Sequence, residues 1–169
     1  MAEISLFRRK KLILKFTPLS IALEALAFLA LAACFLIIDL RYGALPETVP
    51  TAFAPDGGVL VTGAKEVTLI HPIFAAFVFL VLLCVNIIAR QSCPPDRPLP
   101  TLQSILNAVS IGKALFLAYE AGRTWWAMSL RPAPAWMLYA LIGAEIAVAA
   151  VTAAVILRRK RREADGAAP

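Results

Sequence analysis

Apolar and polar positions in this chain alternate on a long scale: runs of about twenty apolar residues are separated by short polar segments. The first run covers 19–40, entered from a basic stretch and left at Asp39 and Arg41, with Glu24 as its interior charge. The second, 69–89, is closed by Arg90 and tolerates Pro72 near its start, because the first N–H groups of a helix need no intrahelical partner. The third, 102–128, carries Asn107, Lys113, Glu120 and Arg123, and the fourth, 136–157, contains Glu145 alone. A bilayer-crossing helix takes about 20 apolar residues, so each run is long enough to span. The pattern predicts an all-α integral membrane protein. Its four-transmembrane-helix bundle fills 19–157, with a folded extracytoplasmic loop at 41–68 between helices 1 and 2. A basic amino end (1–18) and a basic tail (158–169) flank it, both cytoplasmic.

Composition supports this reading: 60% of the 169 residues are apolar and 17% charged, against roughly 45–50% and 25% in a soluble domain. Four spans leave no room for a separate soluble domain. The net charge of +6 could suggest nucleic acid, but its placement points to lipid. In a four-span topology twelve basic residues fall inside: Arg8, Arg9, Lys10, Lys11 and Lys15, then Arg90 and Arg97, then Arg158, Arg159, Lys160, Arg161 and Arg162. Only Arg41, Lys65 and Arg131 fall outside. This asymmetry orients a protein in a bacterial cytoplasmic membrane and brings anionic lipid headgroups to its basic ends. If the third run lay flat, the two basic ends would be on opposite faces. Trp125, Trp126 and Trp136 cluster around the breaker at Arg131–Ala135, where indoles favour the headgroup layer.

Two processing motifs are set aside. Leu31-Ala32-Ala33-Cys34 fits a lipobox, yet the apolar run continues through Leu40, so a permanent span is expected. Leu45-Pro46-Glu47-Thr48 lacks the glycine of a sortase signal and lies mid-chain. Cys34, Cys84 and Cys93 show no metal or CxxC spacing and read as small apolar fillers or loop residues.

The segment 45–65, LPETVPTAFAPDGGVLVTGAK, is rich in proline and glycine and carries Val49, Phe53 and Val59 to Val61 as apolar anchors for a turn-rich cap. With Pro72 beyond it, this loop resembles the domain of unknown function shared by SdpI-type immunity and signalling proteins of bacteria. Leu45, Pro46, Val49, Pro50, Phe53, Gly57, Gly63 and Lys65 occupy matching positions. Ala52, Ala54, Leu60 and Thr62 stand where that family commonly has His, Asn, Asp and Trp. The resemblance covers about 19–90 and implies a shared loop scaffold; it carries over no activity that the missing His or Asp would support.

Charges inside the spans are the other candidate site. A central Lys, Arg or Asp costs about 2.5–3.5 kcal/mol on insertion scales, and the apolar residues of helix 3 return only roughly 2–4 kcal/mol, so its charges require partners. Lys113 and Glu120 are seven apart on one face, and Glu120 and Arg123 are three apart. A hairpin centred near Ala133 places Glu145 level with Gly122 and Arg123, while Glu24 falls near the level of Lys113. The expected network therefore joins Glu24 to Lys113, and Glu145 to Arg123 and Glu120; its role is structural or functional.

No catalytic or metal-binding set is visible. His71 is the single histidine, and the glycines lack phosphate-loop spacing. The chain is expected to be a non-enzyme without cofactor. It would bind or sense an extracytoplasmic peptide or protein in an immunity-type role; a small transporter or channel using the interior charges, or an accessory subunit, is the rival. In helix 4, Ala140, Gly143, Ala144, Ala147, Ala150 and Ala154 form a stripe nearly opposite Glu145 and Thr152, which predicts a homodimer through that helix.

Overall fold

The computed structural model describes residues 14–54, 57–91 and 99–166. Among them are four long helices: α1 (Pro18–Arg41), α2 (Ile70–Gln91), α3 (Leu99–Met128) and α4 (Ala135–Gly166). Between α1 and α2 stands an antiparallel hairpin of β1 (Thr48–Phe53) and β2 (Val59–Ala64), joined to the helices by 3-10 turns at Tyr42–Ala44 and Lys65–Leu69. All four helices are long and apolar enough to cross a membrane, which makes the chain a multi-pass membrane protein. Arg8, Arg9, Lys10, Lys11, Cys93 and Arg97 lie outside the described residues.

Local chemistry sets the helix ends. Thr17 caps α1 by accepting the Ser20 N–H at 3.2 Å, and Pro18, which has no N–H to satisfy, follows it. Helix α3 ends in a Schellman turn: Arg131 N–H donates to the Trp126 carbonyl at 3.1 Å and Leu130 N–H to that of Ala127 at 3.0 Å. Leu130 takes the left-handed position, φ 55°, that glycine normally fills, at a cost of about 1–2 kcal/mol. Pro132 and Pro134 delay the next helix to Ala135. Helix α4 passes the expected boundary at 157 and continues to Gly166, because arginine, lysine and alanine are strong helix formers.

The hairpin pairs Val49 with Gly63 and turns near Gly57, whose φ is 87°. A β-carbon at Gly63 would lie 3.0 Å from Thr51 Cγ2, so the bare backbone is what admits the facing strand. Of the anchors expected from sequence, Val49 is fully buried and Phe53 half-buried, whereas Val59, Leu60 and Val61 face outward.

Helix α3 is the hub. Its buried residues Leu106, Ser110, Lys113, Leu117, Glu120, Thr124 and Met128 recur at three- and four-residue spacing, one continuous stripe set against the other helices. Halfway along, Ala27, Leu31, Ala75, Phe79 and Leu117 close into an apolar layer. Cys34 is buried in the last third of α1, within the helix that continues beyond it to Arg41, while Cys84 is exposed. Helix α4 packs against α3, and the small-residue stripe faces away from the chain: Gly143 has nothing within 4 Å of where a β-carbon would be. The start of α1, the end of α2, the start of α3 and the end of α4 share one end of the bundle. Leu14 N–H there donates to the Arg90 carbonyl at 3.0 Å, and Arg159 Nη1 to that of Pro100 at 2.7 Å.

Candidate functional site

Two polar clusters sit on the buried stripe of α3, one on each side of the apolar layer. At the end bearing the termini, Lys113 forms an ion pair with Glu24 of α1, the partner expected from depth. Glu24 Oε1 also accepts from Asn86 Nδ2 at 2.9 Å and from Ser110 Oγ at 3.0 Å. Asn86 passes the network to Arg90, whose Nε donates to its Oδ1 at 2.8 Å. The sequence places Arg90 at the close of the second span, among the inside basic residues. It is buried, reaching Ser20 Oγ at 3.1 Å and the Gln103 amide oxygen and Lys15 carbonyl at 3.2 Å each, with Phe16 stacked 4.3 Å away. Gln103 Nε2 donates to Asn107 Oδ1 at 2.7 Å and to Ser20 Oγ at 3.1 Å.

At the hairpin end, Glu120 is buried under His71 and Arg123. Arg123 Nη1 lies 3.8 Å from Glu120 Oε1, and its Nη2 lies 3.2 Å from His71 Nε2. A guanidinium only donates, so His71 Nε2 accepts; a neutral imidazole in this position carries its proton on Nδ1. Nδ1 faces Glu120 Oε2 at 3.3 Å, yet that oxygen, itself buried, completes no hydrogen bond. One turn nearer the hairpin, Thr124 Oγ1 donates to the Glu120 carbonyl at 2.8 Å.

The hairpin roofs a cavity of about 160 Å³ over this cluster, lined by Pro50, Thr51, Phe53, His71, Arg123 and Arg131 among others. The other loop positions build the roof. Leu45 N–H closes the first 3-10 turn on the Tyr42 carbonyl at 3.2 Å, Pro46 is exposed, and Pro72 is fully buried beneath the second turn. Lys65 N–H donates to the Glu47 carbonyl at 3.0 Å, and its Nζ lies 5.4 Å from the centre of the Tyr42 ring. Beside the roof is a wider notch of about 620 Å³, where the Arg41 guanidinium stacks 4.0 Å from the Trp125 ring.

Glu145 corrects the expected network. No ion pair joins it to Arg123, and its carboxylate rests on Gly112, where a β-carbon would lie 2.8 Å from Oε2. The non-helical stretch Ser129–Pro134 accounts for the offset: it descends alongside α3, so α4 begins lower than a turn centred near Ala133 implies. Met137 accordingly contacts Gly122, and every later residue of α4 is displaced the same way.

Sequence reasoning missed Ser20, His71, Asn86, Arg90, Gln103, Asn107, Ser110 and Thr124. The signal was present: in α3 the polar residues 103, 107, 110 and 113, then 120 and 124, are spaced three or four apart with one seven-residue step across Leu117, which keeps them on one face, and in α2 Asn86 and Arg90 are four apart. Among the described residues no group of His, Cys, Asp and Glu is placed to hold a metal ion. No protein-family model, no curated protein and no solved structure matches the chain.

Proposed function

We propose that the chain is a binding or sensing protein of a bacterial cytoplasmic membrane, with both termini cytoplasmic and the hairpin outside. The observation that carries this reading is the roofed cavity, which the imidazole of His71 and the guanidinium groups of Arg123 and Arg131 line together under the hairpin. A peptide or protein ligand arriving from outside meets that cavity first, and the resemblance of loop 45–65 to SdpI-type immunity and signalling proteins supports the same assignment. The Glu24–Lys113 cluster then holds the helices against which an outer change would act. A transport reading has one observation in its favour, the alignment of both polar clusters on a single face of α3. The layer of Ala27, Leu31, Ala75, Phe79 and Leu117 between them weighs for binding.

The test places a photocrosslinking amino acid at Thr51 in intact cells. A discrete adduct is expected, and Arg123→Ala should remove it without changing membrane accumulation. Absence of an adduct, or one indifferent to Arg123→Ala, overturns the reading. Reporters fused after Pro134 should read as external and those at the tail as internal; an external tail overturns the orientation. Proton uptake by liposomes holding the purified chain, lost in Glu120→Gln, would establish the transport rival instead.

A further inference from the structure

A second cavity lies away from the hairpin, at mid-depth on the bundle's lipid-facing side. It is a groove of about 460 Å³ between α2 and α4 with α3 as its floor; its walls include Val78, Leu82, Phe116 and Val148. Two ionisable groups also line it, Lys113 and Glu145. Lys113 is committed: its amine is paired with Glu24 and its side chain is 1% exposed. No hydrogen bond or ion pair from the described residues reaches the Glu145 carboxylate, which rests on the bare backbone of Gly112.

We propose that this groove binds a lipophilic organic cation, an amine or onium group carried on an apolar body, with Glu145 as its counter-ion. The argument is one of complementarity. A lone carboxylate among hydrocarbon walls is costly unless a cation or donor meets it, and the volume falls within the roughly 300–1,000 Å³ of small-molecule sites. Phe116 adds an aromatic face suited to a cation. A second copy of the chain is a poor occupant, because Lys113 is already engaged by Glu24 and Arg90 by Ser20, Asn86 and Gln103, while Arg123 sits at the hairpin cavity and not at the depth of this groove. The copy's small-residue stripe offers no charge at all. Gly112 is the positioning residue, since any side chain there would displace the carboxylate by contact at 2.8 Å.

The experiment measures binding of tetraphenylphosphonium to the purified full chain in nanodiscs and to native membranes containing it, with gel filtration and thermal melting as controls for folding. Saturable binding of one cation per chain is expected. Glu145→Gln should weaken it at least tenfold, Gly112→Ala should weaken it, and Glu145→Asp should retain part of it; the anion tetraphenylborate should not compete. If Glu145→Gln does not fold, the Gly112→Ala and tetraphenylborate arms decide. No saturable binding to the folded chain overturns the proposal, as does equal affinity in every variant that folds. Absence of binding with the chain eluting as a dimer assigns the groove to a second copy. Binding to the purified chain but not in native membranes assigns it to a protein partner. Either result also overturns the proposal.

Discussion

The two polar clusters on α3 are built from similar residue types and differ in how completely they are bonded. Around Glu24 and Lys113 the carboxylate, three amides, two serines and Arg90 satisfy one another, and Arg90 is fully buried. Around Glu120 a buried oxygen is left without a hydrogen bond, and His71 and Arg123 are each about one-third open, with side-chain exposures of 29% and 37%. A saturated network has one good arrangement and resists change, whereas a partly satisfied one is held less firmly and retains capacity for a new partner. On the proposed function, the first cluster holds the bundle and the second is the one that responds, at the hairpin end.

The largest effect should come from stranding a charge in the saturated cluster. Lys113→Met leaves Glu24 without its cation, and removing one member of a buried pair costs about 3–5 kcal/mol in soluble proteins; membrane accumulation should collapse. Adding Glu24→Gln should restore most of it. Normal accumulation of the single variant would erase the contrast between the clusters.

A milder version replaces the fork and keeps the charge. Arg90→Lys cannot reach Asn86, Ser20 and Gln103 together, and losing charged hydrogen bonds of this kind costs about 1.5–3 kcal/mol each. Unfolding by sodium dodecyl sulfate in mixed micelles should register a loss of that order. An unchanged transition would mean that the geometry of the fork is not what holds these helices.

At the Glu120 cluster the expected signal is spectroscopic. Nitrogen NMR of neutral His71 should show the Nδ1–H tautomer, held by donation from Arg123. Arg123→Ala should release that preference while stability changes by less than about 1 kcal/mol, as at a site that is not saturated. An Nε2–H tautomer in the parent would contradict the Arg123 hydrogen bond.

The smallest effect belongs to the exposed face of α4. A β-carbon at Gly143 would meet nothing within 4 Å on this exposed face, so for Gly143→Leu the stability of the single chain should move by no more than about 0.5 kcal/mol. Together with Ala147→Leu it should abolish crosslinking between copies if the small-residue stripe joins them. Crosslinking that persists, or none in the parent, rejects the dimer.

Much of this architecture was legible because the bilayer reduces the problem to length and apolarity: the runs at 19–40 and 69–89 lie within one or two residues of α1 and α2 at most ends. The Glu24–Lys113 pair was legible too, since spans of known length align depth with residue number. That same rule failed for Glu145, because the path of Ser129–Pro134 and the left-handed Leu130 set the offset of α4, and neither is encoded in hydropathy. The burial of Arg90 was not legible, for a related reason. A basic residue at the end of an apolar run looks solvated whether or not Ser20, Asn86 and Gln103 converge on it from three helices.

Helix α4 has a mechanical consequence. Its 32 residues form one uninterrupted helix, about 48 Å long at 1.5 Å per residue, against a hydrocarbon thickness of ~30 Å. The stretch from Glu145 to Gly166 is then a lever arm of roughly 31 Å on the same rise. A tilt of only ~10° pivoting at the Gly112 contact would carry the far tip through about 5 Å, by the geometry of a straight helix. Arg159, held to Pro100 and Ser104 near that arm's end, acts as its catch. On that geometry, a displacement too small to open the bundle would be magnified at the five basic residues 158–162.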